Sequence, residues 1–130
     1  MEKKYIQIFD GYKGAYGFAD IKKAYRHPDT GKLKLKPGDY LWIYEELTDQ
    51  VYIDHLNGVK SIGMQPCNEE GETKYGIIDI DPDNYNNFDR KFIIDKIQEY
   101  QLPLIPILSK SGSIHLYIFM KKFVDAATLK

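Results

Sequence analysis

The chain has 130 residues, 43% of them hydrophobic, and a formal net charge of −1. That length is enough for one domain around a sizeable core, and the single cysteine, Cys67, excludes an internal disulfide or a cysteine metal cluster. No apolar run reaches membrane-spanning length, and the start, Met1-Glu2-Lys3-Lys4-Tyr5, lacks the apolar stretch of a secretory signal, so a cytoplasmic setting is expected.

Charge is unevenly spread. Residues 1–40 hold nine basic against five acidic side chains, residues 41–100 five against thirteen, and residues 101–130 four against one. An acidic middle between basic ends fits a cation site flanked by phosphate-binding surface, and it equally fits a solvated surface of mixed charge. Eleven tyrosines, six phenylalanines and one tryptophan suit a half-buried sheet or base stacking.

In chain order, residues 11–17, with three glycines, read as a flexible loop. Lys22-Lys23-Ala24-Tyr25-Arg26 is a basic stretch with an aromatic inside, either exposed surface or a contact for a nucleic-acid backbone. Pro28-Asp29-Thr30-Gly31 makes a turn. Tyr40 to Tyr44 reads as a strand, Thr48 as the cap of a helix through Leu56, and Gly58 as its exit. Val59 to Gln65 reads as a second strand, and Glu69, Glu70 and Glu72 surround a turn at Gly71.

Tyr75 to Asp81 is an apolar strand with acids at its end. Asn86 or Asn87 is placed to cap a helix to about Tyr100, with Phe88, Phe92, Ile93, Ile97 and Tyr100 near one face. Leu104 to Leu108 and Ile114 to Met120 are two strands joined by a tight turn over Lys110 to Ser113. The order strand, helix, strand, strand predicts an α+β protein, a mixed sheet with flanking helices.

Two places carry chemistry. Strand alternation puts Asp79 and Asp81 on one side and Ile80 on the other. Paired carboxylates at a strand end suit a hard cation such as Mg²⁺ or Mn²⁺; they also suit plain solvation. Ser109-Lys110-Ser111-Gly112-Ser113-Ile114-His115 gathers hydroxyls, an ammonium, a glycine and an imidazole on one hairpin, with Ser109 and His115 able to lie side by side. These groups donate to phosphate oxygens, or form an ordinary polar hairpin. Together, carboxylates and phosphate donors match what nucleotidyl transfer requires.

On these residues the chain resembles the archaeo-eukaryotic primase superfamily, with its Asp-x-Asp strand motif and later Ser-x-His-type motif. It is similar in particular to primases of TOTE conflict systems and related mobile-element primase–polymerases. Leu47-Thr48-Asp49, His55-Leu56-Asn57-Gly58 and Ile62-Gly63-Met64-Gln65-Pro66 add to the likeness, which spans about residues 40–120 behind a basic segment 1–40.

The resemblance implies a partial catalytic core containing a unit like that of an RNA-recognition motif. It implies Mg²⁺ or Mn²⁺ on Asp79 and Asp81, and nucleotide phosphates on His115 and Ser109 with Lys110 or Ser111. The partners would be nucleoside triphosphates and a DNA template and primer, with a helicase or other replication domain in the full protein. His55 is read as structural. The family's third acidic motif lies on a later strand, whereas the acid after His115 here is Asp125, in Phe123-Val124-Asp125-Ala126-Ala127. Asp125 is therefore expected to cap a helix, and the chain to be a fragment or shortened relative. A non-catalytic nucleotide- or nucleic-acid-binding module and a metal-dependent nuclease are the competing functions.

Overall fold

The computed structural model describes residues 1–109 and 112–129. Among them are helices α1 (Glu2–Ile8), α2 (Asp49–Leu56) and α3 (Arg90–Glu99). The strands are β1 (Tyr16–Ala19), β2 (Tyr25–Arg26), β3 (Leu33–Lys34), β4 (Tyr40–Ile43), β5 (Ser61–Gly63), β6 (Glu72–Ile80), β7 (Ile105–Leu108) and β8 (Ile114–Asp125). The expected α+β class is observed, with strands distributed over three small sheets ordered β4-β1-β5, β2-β3 and β6-β8-β7. No helix among the described residues is long and apolar enough to cross a membrane. The chain divides into two compact units, residues 1–74 with 123–130, and residues 75–122.

In the first unit, β1 pairs antiparallel with both β4 and β5. Direct partners share a face, so Tyr16 and Ile43, and Phe18, Leu41 and Ile62, point one way. Gly17, Trp42 and Gly63, and Ala19, Tyr40 and Ser61, point the other. The first face covers the core, where Tyr16, Leu47, Val51 and Tyr52 are buried and Tyr5, Ile6, Phe9, Ile43, Ile62 and Met64 pack against them. Helix α1 supplies Tyr5 and Ile6, and the Tyr5 ring lies 4.7 Å from that of Phe9. Helix α2 follows Thr48, whose carbonyl accepts from Val51 N at 3.0 Å. It ends at Asn57, after which Gly58 takes the left-handed φ of +71° that favours glycine. His55 Nδ1 lies 3.1 Å from the Lys60 carbonyl at this exit, a structural role.

A polar chain ties this core together. Tyr52, 0% exposed, donates from its hydroxyl to the Phe9 carbonyl at 2.9 Å and accepts from Lys13 Nζ at 3.3 Å. Lys13 pairs with Asp10 at 3.0 Å, and Asp10 with Lys74 at 3.3 Å. Burial pushes the Asp10 carboxyl up, but hydrogen bonds and charge from Lys13 and Lys74 outweigh it and hold the group below its usual value.

The second unit contains β7 and β8, an antiparallel hairpin, with β8 central and β6 on its far side. Ile97, Ile114 and Leu116 form its buried core, joined by Ile80, Phe88, Ile93 and Leu104. The helix cap is Asp89, a correction to Asn86 or Asn87: its carboxylate accepts from Lys91 N at 2.9 Å and Phe92 N at 3.3 Å. Phe92 and Tyr100, expected on the apolar face, are exposed.

Other boundaries also differ. Tyr16 and Gly17, expected in a loop, start β1. The strand expected over Val59 to Gln65 shortens to Ser61–Gly63, and the one from Tyr75 begins at Glu72. At the end of the chain, Asp125 accepts from Ala127 N at 2.8 Å and starts a short 3-10 turn, Ala126–Leu129.

Candidate active site

Of the expected site residues, Asp79, Asp81, Ser109 and His115 are described by the structure, and all four fall in the second unit. Asp79 is the penultimate residue of β6, and Asp81 follows the strand. Pro82 then opens a 3-10 turn, Pro82–Asn84, where its missing N–H removes no bond. The Asp81 carboxylate caps this turn, accepting from Asp83 N at 3.2 Å through Oδ1. One oxygen is thereby fixed, which orients the other.

His115 is the second residue of β8, and its Nε2 lies 3.4 Å from Asp79 Oδ1. The side chains are 34% and 64% exposed respectively, so a ligand has access to both. The structure thus brings the acid strand and the histidine hairpin to one point. Ser109 is placed differently from the side-by-side expectation. Its backbone N donates to the Ser113 carbonyl at 2.9 Å, whereas His115 faces Ile107 across the ladder. Ser109 therefore stands diagonally from His115. Lys110 and Ser111 lie outside the described residues.

Two features escaped the sequence. Strand alternation sets His115, Tyr117 and Phe119 on one face of β8. The rings of His115 and Tyr117 are 6.5 Å apart, and those of Tyr117 and Phe119 are stacked at 5.7 Å and 10°. Tyr75 of β6 approaches Phe119 at 6.2 Å, while Ile107 and Ile105 of β7, both exposed, oppose His115 and Tyr117. The alternation of aromatics after His115 was the signal for this row.

The second is Arg90. Its Nη2 lies 3.1 Å from where a Cβ at position 112 would stand, and its guanidinium carbon is 6.0 Å from the centre of the Phe88 ring. Gly112 is needed for that space and for its φ of +94°. A cation in the first turn of a helix opposes the helix dipole, so Arg90 directly after its cap was itself a hint of a contact made elsewhere.

The donor set suits a hard divalent cation in part. Asp79 and Asp81 offer carboxylate oxygens at one strand end, the hard donors such a cation takes. Among the described residues no three His, Cys, Asp or Glu side chains converge as a metal cluster. Asp125, like Asp81, caps a turn through one oxygen.

The family model for the TOTE conflict system, Archaeo-Eukaryotic Primase domain, matches residues 6–130. The chain belongs to that family. Compared with curated proteins, it matches none.

Proposed function

We propose that this chain carries part of the nucleotidyl-transfer site of a DNA primase–polymerase, acting in replication or repair in the cytoplasm. The observation that carries the reading is the 3.4 Å approach of His115 to Asp79 within a domain of the primase family. Asp79 and Asp81 would hold Mg²⁺ or Mn²⁺, which supplies neutralisation of triphosphate charge and activation of the attacking 3′-hydroxyl.

His115 then presents Nε2 to a phosphate oxygen, and the hairpin adds the hydroxyl of Ser109 with Lys110 and Ser111. The attacking hydroxyl on a templated primer displaces pyrophosphate from the α-phosphate, with no covalent enzyme intermediate. A helicase or another replication domain is the expected companion in a longer protein.

Manganese-dependent incorporation of labelled nucleotide on a primed template tests this. Activity should fall by about 10²–10³-fold in Asp79→Ala, as for loss of a main electrostatic contact. Unchanged incorporation in that variant would sink the assignment. A second reading, nucleotide binding without transfer, is favoured by the lack of any group of three His, Cys, Asp or Glu side chains that could hold a metal among the described residues. It predicts nucleoside triphosphate binding that needs His115 but yields no product.

A further inference from the structure

Helix α3 carries three cations, and two of them are matched on the helix itself: Lys91 with Asp95, and Lys96 with Glu99 at 2.7 Å. Arg90 is exposed and forms no ion pair among the described residues. Its contacts are the Phe88 ring and the turn at Gly112. The adjacent acid, Asp89, is committed to the helix start, its Oδ1 accepting from Lys91 N and Phe92 N. The Arg90 charge is thus carried away from its own helix and left unmatched beside the hairpin.

That turn precedes the strand bearing His115. Gly112 and His115 are three residues apart in the chain, so their Cα atoms are separated by at most about 11 Å. At one end of this span a guanidinium stands 3.1 Å from the Cβ position of Gly112; at the other, His115 Nε2 meets Asp79 at 3.4 Å. A ligand with several phosphates in a row reaches both ends, whereas a single phosphate occupies one. The planar guanidinium fork matches two oxygens of a terminal phosphate.

We propose that Arg90 is a specificity residue of this site, holding the terminal phosphate of a nucleoside triphosphate and so selecting triphosphates over monophosphates. The proposal rests on the transfer-site reading for where the phosphate chain begins, at the end marked by Asp79 and His115. Gly112 is then small for a second reason: a side chain there would stand where the guanidinium and its phosphate meet. A purely structural Arg90, propping the hairpin against Phe88, would support all phosphate ligands alike. The selectivity between ligands separates the two roles.

Arg90 is one of two arginines in the sequence; the other, Arg26, donates to the Gly31 carbonyl at 3.0 Å in the first unit. The two side-chain Nε–H signals in an NMR spectrum of the full chain are therefore assigned by Arg26→Lys alone. In Mg²⁺, inorganic tripolyphosphate should shift the Arg90 signal saturably and leave that of Arg26 in place, while equimolar inorganic phosphate moves neither. Arg90→Gln should weaken nucleoside triphosphate binding by about tenfold or more and monophosphate binding by about twofold at most, and Arg90→Lys should restore part of the loss. An unmoved Arg90 signal, or an equal loss for both nucleotides in Arg90→Gln, overturns the proposal. Lost triphosphate selectivity in a chain that incorporates no nucleotide supports Arg90 while counting against the transfer reading. Incorporation that needs Asp79 but is unchanged in Arg90→Gln keeps the transfer reading and removes this one.

Discussion

The two units use charge in opposite ways. In the first, Asp10, Lys13, Lys74 and the Tyr52 hydroxyl are matched to one another beside a buried core. In the second, Asp79 and His115 meet at a part-exposed sheet surface, and Arg90 approaches a glycine turn. Both units bury one face of a three-stranded sheet. Their titratable groups differ in whether the fold has already consumed their hydrogen-bonding capacity. Groups that satisfy one another hold structure; groups presented to solvent beside one another remain available to a ligand.

That contrast is sharpest at the cores. Tyr52→Ala should cost about 3–5 kcal/mol, read by denaturant unfolding and by lost amide-exchange protection in β1 and α2. A loss below 1 kcal/mol would mean the polar chain is not anchored on this ring. Ile114, 1% exposed, should cost about 2–5 kcal/mol as Ile114→Ala, read in exchange along β7, β8 and α3. Gly112→Ala should cost about 1–2 kcal/mol, from its left-handed backbone and the Arg90 guanidinium beside it. Adding Arg90→Ala should relieve the steric part alone, which a double-mutant cycle in urea would show.

The smallest effect is electrostatic. Asp10 is held below its ordinary 3.8 in the folded chain, so its contribution is present above that value and lost as pH falls through the folded one. Asp10→Asn should therefore lower stability by up to about 1 kcal/mol at pH 7. The deficit should close below the ordinary value, and a deficit independent of pH would break the ion-pair account.

Much of the second unit was legible in the sequence because its strands are apolar runs bounded by Pro82, Pro103 and the serine-rich turn. The α3 cap was misplaced because Asn86, Asn87 and Asp89 all suit a cap, and only the bonds from Lys91 N and Phe92 N decide. The first unit read poorly. Helix α1 has seven residues and no side-chain cap, so its stability comes from packing Tyr5 and Ile6, which local pattern does not reveal. Strand β1 was hidden by Gly17, a loop signal in sequence that here lies between Trp42 and Gly63. Asp79 and His115 were foreseen as two motifs acting together; the contact between their side chains depends on the pairing of distant strands. Arg90 was missed because its target is a turn some twenty residues away.

Asp81 has a further consequence. Its side chain caps the turn that follows β6 through one oxygen, and in the proposed site the same carboxylate would also hold the cation. Asparagine caps as well as aspartate does but carries no charge. Asp81→Asn is therefore the substitution that separates the two duties, leaving the Pro82 turn in place while silencing whatever the carboxylate binds.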